Sequence, residues 1–354
     1  MITGLRVVDL IGSPREMGRA HGEELRTTIA DGLSRWFELV QRRTGHAGEA
    51  YAAGFISSTS YTRAIEAYTP ELMDEVKGIA EGARQKLEVI LAYQMMDEEW
   101  AYRVVLTRAR RASIQACSAV GVVREGSSLV AQNMDLPSHY DGTQVVLRLH
   151  PEDAPTVMIF GPAGMIGTTG LNSAGVAVCC NALFQLQHRT SGLPVGFVVR
   201  AMLGRRSAED AVALLKTVPH ATGQNYIVGD PTNVYDFEAS PSQVRELPRE
   251  GAQVAHTNHA LVNDDLDDQI GEDPESTTVE RLARVRGDLA KLGDRVTADD
   301  VKKALSDREV PVCVPRGSDW MTMGSLVMEL SAEPVLHFAA GPPADTPYSE
   351  IRFE

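Results

Sequence analysis

Cys117 is a candidate nucleophile and Asp135 a candidate partner for it. Gln115-Ala-Cys-Ser118 opens a β-like run, the turn Glu125-Gly-Ser-Ser128 follows, and a second run leads to Gln132-Asn-Met-Asp135. A hairpin centred on Gly126 sets Asp135 directly opposite Cys117 on one sheet face, so that a thiol and a carboxylate share one patch. Such a pair suits nucleophilic catalysis, with the sulfur attacking and the acid orienting a base. The competing reading is an inert core cysteine, the common fate of a free thiol. The pairing also depends on register, because a slip of one residue sends the two side chains to opposite faces.

Other chemistries lack their motifs. There is no GxGxxG, P-loop, GxSxG or HExxH. Gly161, Gly164, Gly167 and Gly170 read as turns between strands, since their spacing fits no phosphate cradle. His256-Thr-Asn-His259 is a poor metal pair on a strand-to-loop segment, and Asp264, Asp265, Asp267 and Asp268 lack the order and glycine of an EF-hand loop. The reading is of an enzyme with no metal and no cofactor.

Composition narrows the partners. The chain has 354 residues with 34 Lys+Arg against 48 Asp+Glu, a formal net charge of −14. That balance argues against nucleic acid or an anionic membrane surface as a partner. No run is apolar enough for a membrane span, and the first residues lack the pattern of a secretory signal. Four cysteines without CxxC spacing (Cys117, Cys179, Cys180, Cys313) fit reduced thiols, and a cytoplasmic location is expected.

Around these residues the chain divides by texture. Up to about Ala112 it reads as helical: Ser13-Pro-Arg-Glu16 is a capping box with proline at the first helical position. Helical spacing recurs through Trp36, Phe37 and Val40, and again through Leu72, Val76, Ile79 and Ala83. From Ser113 on, short β-like runs alternate with turns, interrupted by helices opening at Ser207 and Thr297. Many strands with hairpin-length connections predict an α+β fold, an antiparallel-rich pair of sheets covered by helices. No linker divides the chain, which reads as one unit over residues 1–354.

The ordered set Gly12-Ser-Pro-Arg-Glu-Met-Gly-Arg-Ala-His-Gly22, Ala116-Cys-Ser118, Gln132-Asn-Met-Asp135, Gly170-Leu-Asn-Ser-Ala-Gly-Val176, Asn181-Ala-Leu183, His256-Thr-Asn-His259 and Ala339-Ala-Gly341 before Pro347-Tyr348 resembles the penicillin acyltransferase (isopenicillin-N acyltransferase-like, peptidase C45) family of N-terminal-nucleophile hydrolases. The resemblance implies a four-layer αββα sandwich of two stacked, mainly antiparallel sheets. It also implies a zymogen that cuts itself before the cysteine, here between Ala116 and Cys117, into a helical fragment 1–116 and a sheet-rich fragment 117–354 that remain associated. Ala116 departs from the family's usual glycine at that position. By the same resemblance Asn258 supplies a side-chain oxyanion donor and the main-chain N–H of Asn181 completes the hole. Without the resemblance both asparagines read as strand-end or turn residues. Arg281 and Arg316 are both candidates for a pocket arginine, and the sequence does not choose between them.

The chemistry explains why such a cysteine must become terminal. An α-amine titrates near ~8 and a thiol near ~8.5, so an N-terminal cysteine carries its own base. That amine exists only once the preceding peptide bond is cut, and Asp135 would then hold it. The resulting expectation is a cysteine amidohydrolase opening a linear C–N bond of a small N-acyl or peptide-like compound through an acyl-Cys117 intermediate. The alternatives are transfer of the acyl group to an amine, with a CoA thioester as one donor, and a non-maturing binding or structural member of the fold. Partners are then a small amide or acyl substrate, with homo-oligomerisation left open.

Overall fold

The structure, a computed structural model, describes residues 6–107, 117–268, 270 and 276–353. The first part runs β1 (Val7–Ile11), α1 (Pro14–Glu24), α2 (Arg26–Thr44), α3 (Gly48–Ser57), α4 (Tyr61–Tyr68), α5 (Pro70–Ala83), α6 (Leu87–Tyr93) and α7 (Met96–Thr107). Ser13 caps α1 as expected: its hydroxyl accepts from the Glu16 N–H, the Glu16 carboxylate accepts from the Ser13 N–H, and Pro14 is the first helical residue. Beyond that cap α1 lies flat on α5. A Cβ on Gly18 would stand 2.0 Å from the Glu75 carbonyl oxygen, and one on Gly82 2.1 Å from that of Arg19, so the glycines permit backbone contact between the two helices.

After Cys117 come β2 (Ser118–Arg124), β3 (Ser127–Pro137), β4 (Gln144–His150), β5 (Val157–Pro162), β6 (Thr169–Asn172) and β7 (Ala177–Ala182). Helices α8 (Val195–Leu203) and α9 (Ala208–Thr217) lead to β8 (Gln224–Gly229), β9 (Val234–Ala239), β10 (Val244–Leu247) and β11 (Gln253–His256). Then α10 (Thr278–Ala290) and α11 (Ala298–Leu305) precede β12 (Trp320–Leu330), β13 (Val335–Ala339) and β14 (Ser349–Arg352).

The strands form an eight-stranded sheet in the order β1-β4-β5-β6-β7-β8-β9-β10 and a six-stranded sheet in the order β11-β2-β3-β12-β13-β14. Every pair is antiparallel except β1 with β4, whose long helical connection allows a parallel pairing. Strands β2 and β3 of the smaller sheet pack on β7 and β8 of the larger. Outside them, α8 and α9 cover the larger sheet and α10 and α11 the smaller. The fold is α+β, and its order of layers is αββα. The β1–β4 ladder joins the first part to the rest, as does a buried ion pair in which Arg200 donates to both Glu75 oxygens at 3.0 and 2.9 Å.

The hairpin that carries Cys117 and Asp135 differs from expectation by one residue. Its turn is the pair Glu125-Gly126, with Arg124 facing Ser127, and the ladder continues to Ser118 opposite Asn133. The expected centre on Gly126 required a three-residue turn. Gly126 instead takes a φ of 70°, which lets the chain reverse one residue sooner.

Candidate active site

Cys117 immediately precedes β2, and its side chain lines a cavity of about 40 Å³ between the sheets together with Met134, Thr168, Cys180 and Ala182. The thiol lies 3.8 Å from the Asp135 carbonyl oxygen, to which it donates. Burial pushes the thiol up, well above its ordinary value; the Asp135 charge acts the same way, while Arg281 opposes. In this form the sulfur is held neutral. The cavity is also far smaller than the ~300–1,000 Å³ typical of ligand sites.

The one-residue shift moves Asp135 off the expected face. Gln132 points between the sheets, where its amide donates to Asn181 Oδ1 at 2.9 Å, and Met134 lines the cysteine's cavity. Asn133 points outward, donating to the Leu305 and Val312 carbonyls. Alternation places Asp135 on that outward side, beside Thr322 and Arg281, so the two side chains do not share a patch. What remains close to both faces is the main chain of Cys117, and an α-amine formed there is a main-chain group.

Asp135 is fully buried, neither of its oxygens meets hydrogen-bonding geometry with a described residue, and burial pushes its pKa up to about 7 against the opposing influence of Thr322 and Arg281. A carboxyl whose folded value lies above its unfolded one binds more protons when folded between about pH 4 and 7, so it withdraws stability as pH rises through that window. In a Cys117→Ala background, which keeps both proteins uncut, the advantage in melting temperature of Asp135→Asn over the parent should therefore grow from pH 4 to pH 8. A difference independent of pH would show that Asp135 is not the buried acid described here.

Arg281, in the first turn of α10, draws the site together. It is 1% exposed, and one guanidinium nitrogen donates to the Cys117 carbonyl at 2.6 Å and to Ser118 Oγ at 2.9 Å. The other terminal nitrogen donates to Asn258 Oδ1 at 3.0 Å. Of the two candidate arginines this is the one at the cysteine. Arg316 is on the surface, its side chain 44% exposed and paired with Asp141.

Asn258 follows β11 and is held at both ends. Its main-chain N–H donates to Thr278 Oγ1 at 2.8 Å and its side-chain Nδ2 to the carbonyl of Ala182, a residue of the cysteine's cavity, at 3.1 Å. Since Arg281 must meet an acceptor, the amide orientation is fixed, and the Nδ2 group faces the cavity side. Just before it, His256 sits between the Glu238 carboxylate (2.8 Å from Nε2) and the Thr257 carbonyl (2.9 Å from Nδ1). Burial lowers its pKa, but Glu238 and Asp236 outweigh that and raise it, which together with acceptors at both ring nitrogens favours the cation. His256 thus braces the chain just before Asn258.

The expectation for Asn181 concerns its main-chain N–H, and its side chain is engaged elsewhere. Its side chain is spent between the sheets, accepting from Gln132 and donating to Asn225 Oδ1 at 3.1 Å and to the His256 carbonyl at 3.3 Å. Its flanking residues Cys180 and Ala182 both line the cavity, so its main chain borders the cysteine's site. Ala116 lies outside the described residues.

Sequence reasoning passed over the acidic start of α7. Asp97 lines the cavity, and Glu98 is fully buried with its pKa pushed up to about 7 by burial and by Asp97. The three consecutive acids in an otherwise apolar run, Met96-Asp-Glu-Glu-Trp100, were the available signal. Among the described residues no group of histidine, cysteine and acidic side chains is arranged to hold a metal ion, and no helix is long and apolar enough to cross a membrane.

A cysteine heading an interior strand of an αββα sandwich, with an arginine at its carbonyl that also holds an asparagine, is the arrangement expected of an N-terminal-nucleophile enzyme. A sequence profile of the acyl-coenzyme A:6-aminopenicillanic acid acyl-transferase family matches residues 122–332, and the chain belongs to that family. It is 28% identical, over 254 residues, to the 40 kDa form of acyl-coenzyme A:6-aminopenicillanic-acid-acyltransferase from Emericella nidulans, which spans 71% of this chain and 68% of the relative. Similar solved structures include the Caenorhabditis elegans ortholog of N-acylethanolamine-hydrolyzing acid amidase (17% identity, 60% of this chain and 92% of that one, TM-score 0.45). A mutant conjugated bile acid hydrolase from Clostridium perfringens is another (12% identity, 67% and 92%, TM-score 0.45).

Proposed function

We propose that the chain is a zymogen whose Cys117 thiol attacks the carbonyl of Ala116, passes through a thioester, and is released by water as an N-terminal cysteine. The mature enzyme then acts in the cytoplasm as an amidohydrolase on a linear C–N bond of a small N-acyl or peptide-like compound. The observation that carries this reading is the Arg281 bridge, which ties the Cys117 carbonyl to Asn258 and so fixes the nucleophile against an amide donor.

In the mature form the new α-amine replaces the peptide nitrogen and takes the thiol proton. Asp135 holds that amine from the outward side, and the charge of the ammonium favours its ionised form. The sulfur attacks the substrate carbonyl, and Asn258 Nδ2 and the Asn181 main-chain N–H receive the developing oxyanion. The amine returns its proton to the leaving nitrogen, giving acyl-Cys117, which water resolves. An amine in place of water gives the transferase outcome. The family match and the Emericella relative, whose name describes acyl transfer from coenzyme A to 6-aminopenicillanic acid, favour keeping that second outcome.

One assay separates the two. Mature protein is given a panel of N-acyl amides, and separately acyl-coenzyme A with 6-aminopenicillanic acid, and free acid is measured against N-acylated product. Acid release from the amides exceeding transfer supports the hydrolase; dominant transfer assigns the acyltransferase; neither activity in correctly cut protein rejects both. The fragments 1–116 and 117–354 should co-purify, because the β1–β4 ladder and the Glu75–Arg200 pair both cross between them.

A further inference from the structure

A second cavity, of about 390 Å³, opens where the edge strand β11 of the smaller sheet faces the end of β10 in the larger, and it shares no lining residue with the one at Cys117. Its volume lies within the ~300–1,000 Å³ range of small-molecule sites. Leu247, Val254 and Leu289 give it an apolar wall, and Asp236, Arg286 and Glu250 give it polar groups.

The charges there do not cancel. Arg286 is engaged by Glu250 at 3.2 Å and by the Ala255 carbonyl at 3.2 Å. His256, which acts on Asp236 through its charge, is paired with Glu238. Asp236 feels both cations but accepts a hydrogen bond from neither among the described residues. It is 1% exposed, its Oδ1 accepts from the Asn225 amide, and its Oδ2 has no hydrogen-bond partner among the described residues. Leaving a buried acceptor unsatisfied is costly, more so when it is charged. A carboxylate kept at that cost in a cavity of ligand size is explained by a donor that arrives with the ligand. With the opposing charges already paired, and a net charge of −14 on the whole chain, the favoured donor is a cation.

We propose that this cavity is a binding site for a small primary ammonium ion with an alkyl tail, the ammonium on Asp236 Oδ2 and the tail against Leu247, Val254 and Leu289. The site is distinct from the nucleophile's, and the proposal stands or falls apart from the reaction assigned to Cys117. The bland alternative is that Asp236 serves only to hold Asn225, with water filling the cavity.

Calorimetric titration of the wild-type protein with n-butylammonium chloride at pH 8, where Asp236 is ionised, distinguishes them. Saturable binding is expected, with no binding of n-butanol, which has the same tail and no charge. Asp236→Asn keeps an oxygen for Asn225 and removes the anion, so affinity should fall by about ten- to a hundredfold, the loss of one charge-assisted hydrogen bond. Ala290→Trp, at an exposed position of the cavity wall, should block binding with an unchanged melting temperature, and it decides the matter if the Asp236 variant folds poorly. Absence of saturable binding to wild type, equal affinity in both variants, or equal binding of n-butanol would each overturn the proposal.

Discussion

Cys117→Ala should fold, stay as one uncut chain, and show neither hydrolysis nor acyl transfer. In the proposed mechanism both outcomes pass through acyl-Cys117, so removing the sulfur removes them together, and losses for a covalent nucleophile run to the order of 10⁶ in kcat. The variant deletes one buried atom beside a cavity of about 40 Å³, too little to unfold a core of this size. Circular dichroism and melting temperature check the fold, and acid release and acyl transfer are read on the same sample. Loss of hydrolysis with transfer retained would mean that two different groups carry the two reactions.

Asn258 is the next largest effect, on the order of 10²–10³ in kcat for a lost oxyanion donor. Two variants separate its two ends. Asn258→Ala removes the amide donor and also strips Arg281 of an acceptor in a fully buried place, so stability should fall with activity. Asn258→Asp keeps an oxygen for Arg281, whose cation balances the new carboxylate, and replaces the Nδ2 donor with an oxygen that faces the Ala182 carbonyl. It should therefore lose less stability than Asn258→Ala, bind a substrate analogue about as well, and still lose most of its turnover, since the donor matters chiefly when charge develops on the attacked oxygen. Full kcat in a correctly cut Asn258→Asp protein would remove the residue from the chemistry and leave it as the acceptor that orients Arg281.

The features legible in sequence were those set by local rules. The Ser13 capping box, the caps at Ser207 and Thr297, and the long apolar strand runs all appear where their residues place them. Of the candidate site residues, Cys117 and the motif asparagine Asn258 are brought together through Arg281. What failed depended on half a turn of backbone or on tertiary contact. The Glu125-Gly126 turn is one residue shorter than a hairpin centred on Gly126 requires, and period-two alternation converts that into a change of face for Asp135. Arg281 could not be chosen over Arg316, because only the docking of α10 on the smaller sheet buries one and leaves the other on the surface. Strands β6, β10 and β14 are four residues each, too short for a periodic signal, and α8 is buried nearly all round and so shows no polar face to mark it as helical.

The central claim is that Cys117 becomes an N-terminal residue by its own action. Intact-mass measurement and N-terminal sequencing of purified wild-type protein test it most directly, with the Cys117→Ala chain as control. The account predicts fragments 1–116 and 117–354 in wild type, with cysteine as the first residue of the second, and a single 38.4 kDa chain in the control. Wild-type protein that is active while still a single chain, or a control that is cut at the same bond, would contradict it.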